Sequence, residues 1–277
     1  MSFTIARALA DARAAGLARL DAQLLLAHHL QCSRSWLIAH DDAELDAAQA
    51  QAYAADCRRR ATGEPLAYLI GAWNFCGLEL QVTPAVLVPR PETELLVDWA
   101  LELLAGPLAG VAAPSVLDLG TGSGAIALAV KQRWPAARVS ALDISPAALD
   151  VARANARRLG LEVDFAAGDW WSAAGARRFD LALANPPYIA AGDPHLDALR
   201  YEPAQALSPG GNGLGAVERI VADASDHLNP GGWLLLEHGH DQDTAVRTLL
   251  QAAGFHRLST RRDLAGLARC SGGRWRG

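Results

Sequence analysis

The sequence predicts an α/β protein whose doubly wound, mostly parallel sheet is preceded by a small helical domain and a β-hairpin. Three observations predict it. From Ser115 onward, short apolar runs alternate with helical stretches, giving strands at 115–119, 138–143, 162–167, 179–184, 232–238, 255–260 and 267–270, the alternation of a parallel sheet covered by helices on both faces. Before residue 85 the apolar residues fall at helical spacing, as in Ile5/Leu9, Leu20/Leu24/Leu25 and Trp36/Leu37, with no strand pattern. Between the two, Trp73-Asn74-Phe75 and the alternating Leu78-Glu79-Leu80-Gln81-Val82 flank Gly77, as in a hairpin. A chain of 277 residues that is 51% hydrophobic can bury a large core and is longer than one typical domain. The expected organisation is a helical domain over 1–72, a hairpin linker over 73–90 and the sheet domain over 91–277.

In the first part, an Ala- and Gln-rich helix over Asp46–Ala61 ends in Arg58-Arg59-Arg60, cations suited to a helix C-terminus, and Gly63 stops it. No catalytic constellation occurs there. His28 and His29 lie on a Leu-rich helix and read as structural or solvent-facing, so this part reads as a docking surface or lid. Pro84, Pro89 and Pro91 then stiffen the path into a helix over Glu92–Leu104.

The sheet part carries the chemistry at its strand tips. Val116-Leu117-Asp118-Leu119 runs straight into Gly120-Thr121-Gly122-Ser123-Gly124, before a helix over Ala125–Arg133. Glycines at such a turn let the backbone approach a ligand closely, although nicotinamide enzymes use the related G-x-G-x-x-G. The strand Arg138–Leu142 ends in Asp143, a carboxylate placed for a ribose diol; an Asp opening the helix of Ile144-Ser145-Pro146 is the competing reading. Gly168-Asp169-Trp170 supplies an acid and an aromatic ring suited to an adenine amino group and ring face, or a surface turn with a packed indole. Phe179–Ala184 runs without a turn residue into Asn185-Pro186-Pro187-Tyr188. In open α/β sheets ligands bind outside the carboxyl ends of the strands, and two prolines present bare carbonyls with fixed φ. This ledge can accept both N–H bonds of a planar NH2 group while Tyr188 covers its π-system; the alternative is a proline-terminated strand with a turn Asn. The loop Ile189–Gly213 is longer than most connections in a compact domain, which marks it as functional.

Composition narrows the classes. A net charge of −5 argues against a wide electropositive groove for duplex nucleic acid. No apolar run reaches the roughly 18 residues of a membrane span, and Met1–Leu20 carries Arg7, Asp11, Arg13 and Arg19, which fits neither a signal peptide nor an anchor. Cys32, Cys57, Cys76 and Cys270 are scattered without a C-x-x-C pair, so neither a disulfide framework nor a zinc site is expected and a reducing cytosol fits.

Val88-Pro89-Arg90-Pro91-Glu92-Thr93-Glu94, Asp118–Gly124, Asn185–Tyr188, Arg200-Tyr201-Glu202-Pro203 and Leu235-Leu236-Glu237-His238-Gly239 together resemble the HemK/PrmC family, S-adenosylmethionine-dependent methyltransferases of the glutamine side-chain amide in the Gly-Gly-Gln tripeptide of peptide chain release factors. The resemblance runs from the N-terminal helices to about Arg269. Asn-Pro-Pro-Tyr is shared with other amino-group methyltransferases, and the proline-rich Val88–Glu94 segment narrows the class. The resemblance implies a Rossmann-like methyltransferase domain of seven strands, the last antiparallel. It implies that Gly120, Thr121, Gly122, Ser123 and Gly124 hold the methionine end of the cofactor, Asp143 the ribose hydroxyls, and Trp170 with Asp169 the adenine side. Asn185, Pro186, Pro187 and Tyr188 would bind the target amide, with Asn185 also beside the cofactor and Asn185, Pro186 and Tyr188 catalytic. The C-terminal end departs from the family in Leu264-Ala265-Gly266-Leu267, where a more polar turn is expected, and in the Gly-Gly-Arg-Trp-Arg-Gly tail.

A carboxamide nitrogen is a poor nucleophile because its lone pair is delocalised. Acceptors at Asn185 and the Pro186 carbonyl would stabilise positive charge developing on that nitrogen as it attacks the sulfonium methyl in line. No metal and no covalent intermediate are expected. Glu237 and Glu202 read as structural hydrogen-bonding residues more than as bases, and no base is assigned. The expected partner is a release factor, with no membrane and no sequence-specific nucleic acid, for a cytoplasmic monomer. Two rivals remain: an adenine methyltransferase using the same ledge, and a nicotinamide-dependent oxidoreductase or a non-catalytic nucleotide-binding module on the glycine turn.

Overall fold

The structure, a computed structural model, describes residues 3–277 and divides into two compact units, one ending at Ala72 and the other running Trp73–Gly277. Among its described residues the first holds five helices: α1 (Ile5–Ala14), α2 (Arg19–Leu30), α3 (Arg34–Ala39), α4 (Ala47–Ala61) and α5 (Leu66–Ile70). Their starts are set by local side chains that satisfy orphan backbone donors. Thr4 accepts from the Arg7 amide and Ser33 from the Trp36 amide, and Asp46 forms a reciprocal capping box with Gln49. Ile5, Leu25, Leu26 and Leu37 fill the core, and the buried Tyr53 hydroxyl donates to the Ala22 carbonyl. Arg58, Arg59 and Arg60 occupy the last turn of α4. His29 pairs with Asp56 at 3.0 Å, which gives that histidine a place in the unit's own packing.

From Trp73 the second unit carries the hairpin β1 (Ala72–Phe75, its first residue closing the first unit) and β2 (Leu78–Gln81). Its two turn residues, Cys76 and Gly77, both have positive φ, as the tightest hairpin connection demands. Phe75, Leu78 and Leu80 are buried in the same core as the sheet's helices, and Asn155 exchanges hydrogen bonds with the Gln81 backbone. The hairpin is thus packed onto the second unit by its own apolar face. A 3₁₀ turn, Pro91–Thr93, precedes α6 (Glu94–Ala105), so the α-helix starts two residues after the expected Glu92.

The sheet follows with β3 (Ser115–Leu119), α7 (Ala125–Arg133), β4 (Arg138–Asp143), α8 (Pro146–Leu159), β5 (Asp164–Ala167), β6 (Phe179–Ala184), the short helices α9 (His195–Ala198) and α10 (Ala204–Leu207), α11 (Gly215–His227), β7 (Leu228–Glu237), α12 (Asp243–Ala252), β8 (His256–Arg262) and β9 (Ala268–Arg274). The seven strands lie in the order β5-β4-β3-β6-β7-β9-β8. β9 runs antiparallel to both neighbours, and the other pairings are parallel. One apolar core lies on the face of α6 and α7 and a second on the face of α11 and α12. Chain order reverses between β3 and β6, and the crevice outside their carboxyl ends is where such sheets take ligands.

Two expected ends differ. β7 starts at Leu228, ahead of the apolar run, because a register shift against β6 absorbs Asn229–Gly232. β9 continues through Gly272 and Gly273 to Arg274, where the sequence reads as a tail. Those glycines hide the strand pattern because the strand is crowded there: a Cβ on Gly272 would stand 2.4 Å from Leu235 Cδ2. The apolar Leu264–Leu267 turn is held by the Asp263 carboxylate, which accepts the amides of Ala265 and Leu267.

Candidate active site

At the carboxyl ends of β3, β4 and β6 lies a pocket of about 940 Å³, a figure that includes its solvent-filled mouth. Its floor is the glycine turn. Gly120, Gly122 and Gly124 have φ of 71°, 55° and 85°, conformations that strain any residue with a Cβ. Carboxylates tie the turn down from both sides. Asp118 Oδ2 accepts from Thr121 Oγ1 at 2.6 Å and from the Ala127 amide at 3.2 Å. Asp143 Oδ2 accepts the Gly122 amide and its Oδ1 the Ser145 amide, each at 2.8 Å. Burial pushes the Asp143 carboxyl up, against the backbone donors that favour its charge. It pushes the fully buried Asp118 up to about 7, and Asp118 Oδ1 has no hydrogen-bond partner.

Gly120, Thr121, Gly122, Ser123, Asp143, Asp169, Trp170, Asn185 and Pro187 all line this one pocket, whereas Gly124, Pro186 and Tyr188 do not. Gly124 is needed for packing: a Cβ there would stand 3.0 Å from Leu128 Cδ1 and 3.3 Å from Ala152 Cβ. Trp170 adopts φ 49° and stands so close to Gly120 that a Cβ on that glycine would lie 3.2 Å from the indole. Asp169 lines the pocket while its Oδ2 accepts from Arg219.

The ledge is built from side chains far apart in sequence. Asn185 Nδ2 donates to the buried Thr93 Oγ1 at 3.1 Å. With its nitrogen engaged, Asn185 keeps Oδ1 as an acceptor. Tyr188 does not cover the pocket as a lid; its hydroxyl donates to Glu237 Oε1 at 3.4 Å and its carbonyl accepts from Gln242 Nε2. Glu237, at the end of β7, is wholly enclosed; burial pushes it up to about 7, against the nearby hydroxyls of Thr93 and Tyr188.

The remaining walls come from Val86, Leu87, Pro89 and Thr93 on one side and Pro203, Gln205 and Ala206 on the other. Buried Glu202 joins them: Oε2 accepts the Val88 amide at 3.0 Å and Oε1 pairs with Arg90 at 2.5 Å. His195 is 83% exposed and pairs with Asp193, outside the pocket lining. Sequence reasoning missed Thr93, Gln205 and the clamp by Glu202. The proline-rich stretch before Thr93 marked a wall, but nothing local reveals which side chain crosses 92 residues to reach Asn185. Among the described residues no cluster of three or more His, Cys, Asp or Glu could hold a metal ion.

A seven-stranded, mostly parallel sheet with one antiparallel strand and a glycine-floored pocket at its switch point defines a Rossmann-like methyltransferase. Residues 94–214 match the family model described as a methyltransferase small domain. The fold also resembles two solved structures, a methyltransferase from Pyrococcus furiosus (TM-score 0.53, 20% identity, 73% of this chain and 90% of that one) and a T. thermophilus 16S rRNA N2 G1207 methyltransferase in complex with AdoMet and guanosine (TM-score 0.55, 22% identity, 74% and 50%). Residues 4–71 match the model described as the PrmC N-terminal domain. The release factor glutamine methyltransferase of Burkholderia pseudomallei is 53% identical over 95% of this chain and 94% of its own length, and that of Bordetella pertussis 51% identical over 93% and 95%. This chain belongs to the release factor glutamine methyltransferase family.

Proposed function

We propose that the protein transfers the methyl group of S-adenosylmethionine to the side-chain amide nitrogen of the glutamine in the Gly-Gly-Gln motif of peptide chain release factors. The observation that carries this reading is the fixed orientation of Asn185, whose nitrogen is spent on Thr93 while its oxygen stays available beside the glycine turn and Asp143. The donor set fits a nucleoside with a charged tail. Each Asp143 oxygen uses one lone pair on a backbone amide and retains another for a ribose hydroxyl, Trp170 supplies a ring face for adenine beside Asp169, and the turn Gly120–Gly124 allows close approach of the methionine end. Bound there, the sulfonium supplies an electrophilic methyl group.

Everything else is positioning and electrostatics. Asn185 Oδ1 and the Pro186 carbonyl accept the two N–H bonds of the target amide, favouring the geometry in which nitrogen density is available and stabilising the charge that develops on it. The rigid prolines fix that ledge before the substrate arrives, and the clamp of Glu202 on Arg90 and Val88 keeps the walls in place to exclude water. The helical unit Ile5–Ile70 serves to dock the protein substrate. The protein acts as a monomer in the cytoplasm; among the described residues no helix is long and apolar enough to cross a membrane.

The reading is tested by ligand and substrate choice. S-adenosylhomocysteine should raise the melting temperature and NAD should not, since only a ligand of the native state stabilises it. With S-adenosylmethionine, a Gly-Gly-Gln peptide should be methylated and an adenine-containing oligonucleotide left untouched. Methylation of the oligonucleotide alone would return the site to the adenine methyltransferases.

A further inference from the structure

Two prolines in a row leave the acceptor ledge short of main-chain anchors. Neither Pro186 nor Pro187 has an N–H to give, and the ring fixes φ but not ψ, so the direction of the Pro186 carbonyl depends on where the chain is next held. Upstream, the ledge is held by β6, whose last residue Ala184 pairs with Leu119 and Leu236, and by the Asn185 bond to Thr93. Downstream, the peptide unit joining Tyr188 to Ile189 is held at both its polar ends. The Ile189 amide donates to the Leu207 carbonyl at 3.0 Å, and the Tyr188 carbonyl accepts from Gln242 Nε2 at 3.1 Å.

Gln242, the residue before α12, can make that bond in one orientation only. Its Oε1 accepts the Gly239 amide at 2.9 Å. A backbone N–H can only donate and a backbone carbonyl can only accept, so the side-chain oxygen must face Gly239 and the nitrogen Tyr188. Gly239 is fixed from its other side as well: the buried His238 ring meets the Gly239 carbonyl through Nδ1 and Ser271 Oγ on β9 through Nε2, each at 2.8 Å. The far end of the loop returns over the same bond. A Cβ on Gly213 would strike the Tyr188 carbonyl and stand 2.9 Å from Gln242 Nε2, so only a glycine lets the loop lie there.

We propose that Gln242 is a positioning residue for methyl transfer: by holding the Tyr188 carbonyl it fixes the downstream end of the ledge, and with it the direction in which the Pro186 carbonyl meets the target amide. The inference rests on the reading of Asn185 Oδ1 and the Pro186 carbonyl as the acceptors for that amide. Gln242 lies outside the pocket lining, so it acts through Tyr188 and touches neither cofactor nor substrate.

The test measures kcat and KM on a Gly-Gly-Gln peptide for the wild type, Gln242→Leu and Gln242→Glu, with S-adenosylhomocysteine affinity from calorimetry in parallel. Gln242→Leu removes donor and acceptor together and should lower kcat about 10–100-fold, the scale of a slightly misplaced reacting group, with KM changed less and cofactor affinity kept. Gln242→Glu keeps the acceptor for Gly239 and nearly the same shape, but sets an oxygen against the Tyr188 carbonyl, so its kcat should fall at least as far. A residue needed only to tie down Gly239 would instead let Gln242→Glu turn over like the wild type. Wild-type kcat in either variant would overturn the proposal, as would a change confined to KM or a matching loss of cofactor affinity. If Gln242→Leu fails to fold, Gln242→Glu decides alone. These outcomes bear on Gln242 while the wild type methylates the peptide; absence of that turnover would overturn the functional reading and the inference with it.

Discussion

The two ends of the pocket are built by different means, although each rests on a buried carboxylate at a strand tip. At the glycine turn, Asp118 and Asp143 hold main-chain amides of Gly122, Ala127 and Ser145, so the surface offered to a ligand is backbone. At the ledge, Glu237 accepts the Tyr188 hydroxyl and Thr93 Oγ1 accepts Asn185 Nδ2, so the surface offered is the oriented amide of Asn185. A backbone cradle recognises a cofactor that stays the same from turnover to turnover. An oriented side chain places a single acceptor at the reacting atom, where a fraction of an ångström decides the rate. On the proposed reading, binding falls to one end and chemistry to the other, and substitutions can separate the two.

The largest effect is expected at the ledge. Asn185→Ala removes one acceptor aimed at the reacting nitrogen and should lower the single-turnover rate about 10²–10³-fold, while S-adenosylhomocysteine affinity changes far less. Loss of binding with a normal residual rate would move Asn185 to the cofactor end. At the other end, Asp143→Ala should weaken cofactor binding by about 1.5–3 kcal/mol, as for hydrogen bonds to a charged group, with the rate at saturating cofactor largely kept. Unchanged affinity by calorimetry would remove the ribose assignment.

Smaller effects probe the scaffold. Gly124→Ala puts a Cβ at φ 85° against Leu128 and should cost about 1–3 kcal/mol of stability. Because Gly124 lies off the pocket lining, its kcat should be unchanged in the folded fraction; a selective loss of cofactor affinity would place it back in the site. A further scaffold effect is a matter of pH. Asp118 has a folded pKa raised from 3.8 to about 7, so the native state holds a proton that the unfolded chain has released, and stability contributed by this group falls as the pH rises between those values. Asp118→Asn removes that loss. Its melting temperature relative to the wild type should therefore climb from pH 4 to about 7 and level off above; a difference independent of pH would contradict the buried, neutral carboxyl.

The same contrast explains what could be read in the sequence. The glycine turn, Asp143 and Trp170 were legible because each sits at the end of its own apolar strand, where local pattern and the topology of open sheets fix position together. Asn185 was legible for the same reason. Its partner Thr93 was not, since the two meet only once the Pro91–Thr93 turn is packed against the end of β6, and a sequence pattern carries no register between distant segments. Gly124 was assigned to the ligand because glycine spacing does not distinguish close approach to a cofactor from close approach to Leu128. The end of β9 was hidden for a related reason: the glycines that permit crowding against Leu235 also erase the alternation by which a strand is recognised.

The most direct measurement is tandem mass spectrometry of an intact release factor after incubation with this protein and S-adenosylmethionine. The account predicts a single added methyl on the side-chain amide nitrogen of the Gly-Gly-Gln glutamine, reached through the acceptor ledge of Asn185 and Pro186. A methyl on any other atom, or none from protein shown to bind the cofactor, would contradict it.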